Sequence, residues 1–326
     1  MFSSRWVVVP AVALVLGSLG MNYGEAAADE KSLTRQIHRL RTETLRHLKM
    51  YLPPKDEELA AARKILKPWL AAWARGGRVP TPQGFDGMAW TRETIDGRDY
   101  ALLHEKDNNL EGRGAYLFRR NTPRPSALVL MAPHSFFDQG TGRIAVKVFW
   151  EGRADALLVN TAHRYTGARK DKVDVRGSDF AHDDQNYYFV VYEELIDAYP
   201  SGLVVQLHGF DGGLKKEKRG GTDVVVSGGT SRGTHGEFGR EAAQILTDAL
   251  PGLKVHAYGD GAKTLGGVHN VHGKDLRDKP NWSFLHLEMN ENARHRLRQD
   301  DDLRKRLAAA LDLIAKGVGD RTAKTK

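Results

Sequence analysis

The chain has no cysteine among its 326 residues. Disulfide bonds, thiolate-bound metals and a lipid anchor attached through cysteine are therefore excluded. A metal site in this protein must use histidine, aspartate and glutamate side chains. The glycine-rich stretch 209–239 contains neither G-x-x-x-x-G-K-[ST] nor G-x-G-x-x-G, so a phosphate-binding loop is disfavoured. Flexible loops that shape the mouth of a substrate site are the better interpretation of this stretch.

Long hydrophobic runs are also scarce, and the run near the start of the sequence is short. Arg5 is followed by apolar residues over 6–19 and by three alanines at 26–28. This order is typical of a secretory signal peptide, here residues 1–28. An uncleaved anchor helix is the alternative, but a membrane span needs about 20 apolar residues. We therefore expect an exported protein, periplasmic or secreted, with no stable membrane span after signal cleavage.

Neither sign of charge dominates the chain. Lysine and arginine total 49 and aspartate and glutamate total 41, which leaves a net charge of +8. This mild positive excess is spread along the chain and favours an anionic partner, such as an acidic substrate or a cell-envelope polymer. The sequence contains no basic cluster interleaved with aromatic residues and no zinc-finger spacing, so we expect no nucleic-acid partner.

Residues 29–77 have the pattern of a helical arm. Apolar residues recur at helical spacing, and the pair Pro53-Pro54 predicts a break between two helices. The second helix is expected to begin at the acidic residues 56–58, which suit the positive end of a helix dipole. We expect the arm to pack on the outside of the main domain. Asp96-Gly97 then predicts the turn of a hairpin of early, antiparallel strands.

Beyond Arg124, short apolar segments alternate with helical ones. We predict strands at 127–134, 156–164, 202–210, 223–230, 254–261 and 283–290, and helices at 186–200, 236–251 and 301–318. This alternation predicts an α/β fold, a three-layer αβα arrangement around a mixed, mainly parallel sheet. We assign this domain to residues 78–320 and interpret residues 321–326 as the end of a frayed basic tail.

Polar side chains follow the apolar part of four predicted strands. They are His134, the segment 160–164, His208 and Glu288. The carboxyl ends of parallel strands meet at one edge of an α/β sheet, where such folds bind ligands. His134, Asp138 and His208 with one water would make an open zinc site of the catalytic type. The alternative is structural, with His134 bonded to backbone and Asp138 capping a turn.

Hydrolysis by a zinc site also needs a base that does not bind the metal. Glu288 is the best candidate, because a carboxylate in an apolar strand is costly to bury unless it is paired or functional. Alternation along the strand places His286 on the same face and makes it a neighbour of Glu288. An ion pair with Arg294 or Arg296 is the alternative role for this carboxylate.

Five short motifs, in this order, resemble a known group of enzymes: "PHSFFD", "NTAHR", "SDFAH", "VVQLHGF" and "FLHLEMN". They are similar to the zinc carboxypeptidase-like amidohydrolases, which include metallocarboxypeptidases, N-formylglutamate amidohydrolase and phage poly-γ-glutamate hydrolases. The resemblance covers roughly residues 127–296, a little over half of the chain. The sequence departs from the group at the acidic residue of the first motif. Metallocarboxypeptidases have a His and a Glu separated by two residues, whereas here a His and an Asp are separated by three.

The resemblance implies zinc ligands at His134, Asp138 and His208 and a catalytic carboxylate at Glu288. It also implies that Arg164 polarises the scissile carbonyl or holds a substrate carboxylate. Asn160, beside it in the same motif, is assigned to substrate binding.

Three further histidines are assigned to the surroundings of the site. His182 and Asp183 lie close together in "SDFAHDDQN" and are a competing source of ligands. We interpret this segment as a substrate loop or a support for the ligands, because metal-bound histidines usually need carboxylate partners. His269 and His272 are assigned to the substrate mouth. A second metal site there is the weaker interpretation, because no acid is close in sequence.

The sequence therefore predicts an exported hydrolase with one zinc ion that cleaves an amide bond. Its substrate would be an amide or a peptide, with acidic substrates favoured by the net charge. The alternative is a non-catalytic protein that binds the cell envelope on the same scaffold, with the helical arm as its interaction surface. Metal content distinguishes the two hypotheses.

Overall fold

The computed structural model describes residues 32–39, 51–77, 79–85, 87–106, 110–120, 124, 126–166, 177–211 and 221–324. The predicted signal peptide, the arm segment 40–50 and the last two residues of the predicted tail lie outside the described residues. Within the described part, none of the helices has the length and apolar character that crossing a membrane requires.

The described elements are ten strands and eight helices. The strands are β1 (Met88–Ile95), β2 (Arg98–Glu105), β3 (Ala115–Arg119), β4 (Ala127–Ala132), β5 (Ala156–Val159), β6 (Gly202–Gly209), β7 (Val224–Ser227), β8 (Val255–Tyr258), β9 (Gly261–Ala262) and β10 (Trp282–Met289). The helices are α1 (32–39), α2 (Asp56–Ala74), α3 (Thr141–Glu151), α4 (Tyr187–Ala198), α5 (Gly233–Ala249), α6 (Val271–Leu276), α7 (Glu291–Gln299) and α8 (Asp301–Lys324).

All ten described strands join one mixed sheet in the order β1-β2-β3-β5-β4-β6-β10-β7-β8-β9. Its centre is parallel, because β4 pairs in parallel with both β5 and β6, and β6 with β10. The first three strands are antiparallel, with the hairpin turn at the predicted Asp96-Gly97. Every residue of β4 is buried, as expected for a strand covered on both faces. The carboxyl ends of β4, β5, β6 and β10 therefore meet at one edge.

Helices cover both faces of this sheet. Leu128 and Leu130 of β4 pack with α3, α5, α7 and α8 in one buried cluster. Val129 and Met131, which alternate with them, pack with α2, α4 and α6 in another. This period-two division between two helical layers confirms the predicted three-layer αβα fold.

Helix α2 belongs to one of the two layers. Its Leu66 and Leu70 are fully buried. The Trp69 ring lies 4.6 Å from that of Trp90 on β1 and 5.4 Å from that of Phe118 on β3. The second arm helix is thus part of the core and covers the antiparallel end of the sheet, where the sequence predicted a position outside it. The boundary between arm and domain stays a prediction.

Helix α1 contributes to the opposite layer. Leu33 and Ile37 are buried in the cluster that contains α3 and α8. The indole N–H of Trp150, in α3, donates to Thr34 at 2.9 Å. The described parts of the arm therefore lie on opposite faces of the sheet.

Two features differ from the sequence-based expectations. Helix α8 continues to Lys324, so most of the expected frayed tail is helical. Helices α3, α6 and α7 were not assigned from sequence. Helix α3 begins after Gly140, which has a φ of 92° and offers no capping side chain, so the usual signal of a helix start is missing.

Candidate metal centre

The predicted ligands converge at the edge where β4 and β6 end. These strands are parallel neighbours, and Met131 lies opposite Gln206 in their register. His134 lies two residues after the end of β4, and His208 lies one residue before the end of β6. The backbone N–H of Asp138 donates to the carbonyl of His134 at 2.9 Å, so the turn folds Asp138 back towards that residue. One carboxylate oxygen of Asp138 also accepts the backbone N–H of Gly209 at 3.0 Å.

Three potential ligand atoms lie close together in this cluster. His134 Nδ1 and His208 Nδ1 are 3.1 Å apart. Asp138 Oδ2 lies 3.4 Å from the first and 3.3 Å from the second. All three residues are at most 3% exposed. Tetrahedral zinc ligands at their usual bond lengths lie about 3.3 Å from one another, so this spacing fits a zinc ion.

The partners of His134 determine which of its nitrogens faces the cluster. Its Nε2–H donates to Asp179 Oδ1 at 2.8 Å. Burial opposes the charge on Asp179, but hydrogen bonds from His134 and His182 outweigh it and hold its pKa well below the usual range. Arg164 donates to His134 Nδ1 at 3.2 Å. Because a guanidinium only donates, Nδ1 presents its lone pair.

His208 presents the equivalent nitrogen. Burial lowers its pKa to about 4, so the ring is neutral near pH 7. Its Nε2 lies 3.1 Å from Gln206 Oε1, which accepts the ring proton and leaves the lone pair on Nδ1.

Two imidazole lone pairs and a carboxylate oxygen cannot hydrogen-bond one another unless a proton or a metal ion lies among them. Burial opposes a positive charge on His134, but its hydrogen bonds with Asp138 and Asp179 outweigh it and raise its pKa. Burial also opposes ionisation of Asp138, whose interactions with the two imidazoles outweigh it and hold its pKa well below the usual range. Two nitrogens and one oxygen are a donor set that zinc accepts in catalytic sites, so these residues fit the ion.

Glu288 lies beside this cluster on β10. It is directly opposite His208 in the parallel register, so both side chains project from the same face. Its carboxylate is 4.0 Å from His286 Nε2, and the His286 ring stacks on His208 with centroids 4.4 Å apart. Burial holds the pKa of His286 well below its usual range. The side chain of Glu288 is 12% exposed, so this residue lies closer to the protein surface than the three clustered residues do.

Arg294 and Arg296, the alternative ion-pair partners of Glu288, donate hydrogen bonds to backbone carbonyl groups. Arg294 donates to the carbonyl groups of Phe210 and Met289. Arg296 donates to the carbonyl of Pro251. Each of these guanidinium groups thus helps to hold a loop in place.

Arg164 lies at the mouth of the cluster. Besides its bond to His134, it donates to Asp179 at 2.5 Å. Its guanidinium lies over the rings of Phe137 and Tyr165, 5.4 and 5.3 Å from their centroids. This clamp holds a positive charge next to the potential ligands.

The structure corrects the assignment of Asn160 to substrate binding. Its amide nitrogen donates to the carbonyl groups of Pro133 and Ser178, and its amide oxygen accepts the backbone N–H of Ala162. The residue is fully buried. Both ends of the amide are therefore used to hold loops of the protein together.

His272 is likewise not at the substrate mouth. It is fully buried and lies 4.6 to 5.8 Å, between ring centroids, from the rings of Tyr188, Phe189 and Tyr192. His269 is exposed on the loop before α6, and its role stays a prediction. His182 does lie near the cluster, half-exposed, with its Nδ1 3.0 Å from Asp179 Oδ1.

Two residues with evident roles were missed from sequence. Asp179 holds His134, but the sequence singled out His182 and Asp183 in this segment. Asp183 accepts the backbone N–H of Gln185 in a turn. Several acids crowd this segment, so sequence spacing could not choose among them. Gln206 carried a usable signal, because it precedes His208 by two residues and shares its face of β6.

Residues 229–233 have the pattern G-x-S-x-G at the turn between β7 and α5. In serine hydrolases of the α/β type, this serine occupies a strained turn. Ser231 is not among the described non-glycine residues with positive φ. Ser231 packs against Gly259. A Cβ added to Gly259 would lie 2.5 Å from the Cβ of Ser231. The two glycines of the motif, Gly229 and Gly233, have φ of 82° and 59°, so the backbone of this turn accounts for them.

A cavity of about 600 Å³ opens beside Asp138. Phe136, Phe137, Arg294 and Arg298 are among the residues that line it. Its size is in the range of small-molecule sites. Of the three clustered residues, Asp138 is the one that lines it.

Similar solved structures include three hydrolases, each 13% identical to this chain. N-formylglutamate amidohydrolase from Ralstonia eutropha JMP134 has a TM-score of 0.38, over 62% of this chain and 96% of its own. A metallo-carboxypeptidase from Burkholderia cenocepacia has a TM-score of 0.39, over 81% and 70%. A bacteriophage poly-γ-glutamate hydrolase has a TM-score of 0.35, over 62% and 87%. These are the kinds of enzyme that the five motifs resemble. No protein-family model and no curated protein matches the chain.

Proposed function

We propose that this protein is an exported, zinc-dependent hydrolase that cleaves an amide bond. The observation that carries the proposal is the convergence of His134 Nδ1, His208 Nδ1 and Asp138 Oδ2 within 3.4 Å of one another. These residues would hold the zinc. A bound zinc ion would act as a Lewis acid and lower the pKa of a water molecule bound to it to about 7.

Glu288 is proposed as the general base. It would accept the proton of the attacking water and deliver it to the leaving amine. Its position beside His208 on the neighbouring strand supports this role. His286, a buried ring whose pKa lies well below its usual range, has its Nε2 4.0 Å from this carboxylate.

Arg164 is proposed to bind the substrate. Its guanidinium, held by Asp179 and by two aromatic rings, would donate to the carbonyl oxygen of the scissile amide or to a substrate carboxylate. The net charge of +8 supports an acidic amide or peptide as substrate.

The proposal predicts one tightly bound zinc ion per chain in protein purified without chelator. His208→Ala should lose both zinc and amide hydrolysis, because it removes a ligand. His235→Ala, on α5, is the matched control and should keep both. Zinc is measured by elemental analysis, and hydrolysis is measured on acidic and neutral peptides. Zinc-free protein that still binds an envelope polymer would favour the non-catalytic alternative.

Glu288→Gln separates a base from a ligand. The amide keeps the size of the side chain but loses its basicity, so zinc content should remain while turnover falls about a hundredfold to ten-thousandfold. Glu237→Gln, at an exposed position of α5, is the control and should change neither. Near-full turnover in Glu288→Gln, or loss of zinc as in His208→Ala, would contradict the proposed base.

Export is proposed from the signal-like start of the sequence. Expression with a functional secretion system should place the protein outside the cytoplasm, with a mature N-terminus near residue 29. Retention of residues 1–28 on the exported protein would refute cleavage near Ala28.

A further inference from the structure

A buried chain of side-chain amides connects helix α6 to His208. Asn270 caps this helix, because its Oδ1 accepts the backbone N–H groups of His272 and Gly273 at 3.1 and 3.2 Å. Its Nδ2 donates to Gln206 Oε1 at 2.6 Å. The same oxygen lies 3.1 Å from His208 Nε2. Gln206 Nε2 completes the chain, 3.0 Å from His272 Nδ1.

The backbone determines the direction of every hydrogen bond in this chain. A backbone N–H can only donate, so the end of the Asn270 amide that caps α6 must be its oxygen. The other end is therefore the NH₂ group, and the Gln206 atom that faces it must be an oxygen. A ring nitrogen of His208 that faces this oxygen must carry the proton. The lone pair of His208 is thereby left on Nδ1.

Burial makes this direction costly to reverse. Gln206 and His272 are fully buried, and Asn270 and His208 are 2% and 3% exposed. Water cannot replace a lost partner at such positions, so a reversed bond would leave a buried polar group unsatisfied, which is destabilising. The tautomer of His208 is thus coupled to the cap of a helix 62 residues further along the sequence.

We infer that Asn270 and Gln206 are positioning residues that present the lone pair of His208 Nδ1 to the metal. This inference rests on the proposed zinc site for its purpose, but the tautomer it assigns belongs to the metal-free protein as well. Neither residue touches the metal or the substrate. The supporting partners of metal ligands typically alter metal affinity by about 10–100-fold when they are replaced.

Asn270→Asp is expected to reverse the direction of the hydrogen bonds that link Asn270, Gln206 and His208, while it preserves the cap of α6. The new carboxylate keeps an oxygen for the backbone of α6, but it places another oxygen against Gln206. The Gln206 amide is then expected to turn over and present its NH₂ group to both the carboxylate and His208. His208 Nε2 must then accept, so its proton moves to Nδ1 and blocks the ligand atom.

Asn186→Asp is a matched control. Asn186 caps α4 through its Oδ1, donates through its Nδ2 to the carbonyl of Asp183, and is 1% exposed. The substitution therefore makes the same chemical change at an equally buried helix cap, and no described hydrogen bond of this amide leads to His208. Thermal unfolding of both variants shows whether they fold.

The first measurement is the ring tautomer of His208 in zinc-free protein, from long-range ¹⁵N–¹H correlation spectra assigned with His208→Ala. We expect the proton on Nε2 in the unsubstituted chain and in Asn186→Asp, and on Nδ1 in Asn270→Asp. The second measurement is zinc affinity by competition with a chromophoric chelator. Asn270→Asp should bind zinc about 10–100-fold more weakly, and Asn186→Asp should bind it like the unsubstituted chain.

Gln206 provides a second test in case Asn270→Asp does not fold. Gln206→Glu keeps an acceptor for His208 Nε2–H and should retain the tautomer and the zinc affinity. Gln206→Met has no acceptor and should lose about 10–100-fold in affinity.

The outcomes separate this inference from the proposed function. A proton on Nδ1 in the unsubstituted chain, or unchanged tautomer and affinity in Asn270→Asp, would overturn the inference while zinc binding stands. Equal affinities for Gln206→Glu and Gln206→Met would do the same. A protein that binds no zinc at all would refute the proposed function. The tautomer of His208 in the metal-free protein would still show whether Asn270 and Gln206 determine its proton position.

Discussion

At the scale of the residue, Asp179 is not one of the proposed zinc ligands, but its carboxylate orients one of them, His134. It accepts the Nε2–H of His134 and also contacts His182 and Arg164. The carboxylate raises the basicity of the imidazole and fixes its orientation. Hydrogen bonds from His134 and His182 outweigh the effect of burial and keep the pKa of this carboxylate well below its usual range. One side chain thus organises both a proposed ligand and the proposed substrate-binding cation.

Asp179→Ala should weaken zinc binding about 10–100-fold, because His134 loses the partner that fixes its tautomer. Asp183→Ala is the control, since Asp183 accepts a backbone N–H in the turn before α4. The affinities are measured by chelator competition. If the two variants lost zinc affinity equally, the carboxylate support assigned to Asp179 would be wrong.

At the scale of the element, α2 carries part of the core that the α/β domain needs. Its apolar stripe packs on the antiparallel strands, where Trp69 contacts Trp90 and Phe118. Arg113 adds a polar link through its ion pair with Glu58 in the first turn of α2, at 3.0 Å. The helix therefore stabilises the sheet that positions the candidate metal ligands.

Leu66→Ala should lower the free energy of unfolding by about 2–5 kcal/mol, because Leu66 is fully buried and its truncation leaves a cavity. Lys64→Ala, at an exposed position of the same helix, should change it by no more than about 0.5 kcal/mol. Urea unfolding monitored by circular dichroism measures both. Equal midpoints for the two variants would show that α2 does not pack as described.

At the scale of the whole molecule, the proposed zinc site joins segments that are distant along the chain. His134 and Asp138 lie on the turn after β4, and His208 lies at the end of β6. Unfolding separates these segments, so the site exists only in the folded state. A ligand that binds only the folded state stabilises it.

Zinc should therefore raise the unfolding temperature of the protein. At a free concentration a hundredfold above its dissociation constant, the stabilisation is about 2.7 kcal/mol. Calorimetry with saturating zinc and with chelator measures the difference. The shift should disappear in His208→Ala and remain in His235→Ala. A shift of equal size in both variants would place the zinc elsewhere.

The sequence determined the positions of most strands and the edge at which the polar residues meet. Continuous apolar runs such as β4 and β6 are local signals of buried strands, and their ends are visible where His134 and His208 interrupt them. Parallel pairing then brings those ends together, so the candidate ligands could be named before their geometry was known. Alternation likewise indicated that His286 and Glu288 share a face.

Which atoms face one another depends on the tertiary structure. Asp179 is selected over Asp183, and Gln206 and Asn270 orient His208, through hydrogen bonds that span 45 and 64 residues of sequence. Such bonds depend on separations of about 3 Å, which strand register and loop closure determine together. Periodicity and spacing in the sequence describe elements and faces, and they do not reach that precision. The proposed ligands could therefore be predicted from the sequence, whereas their proton positions and supporting partners follow from the folded chain.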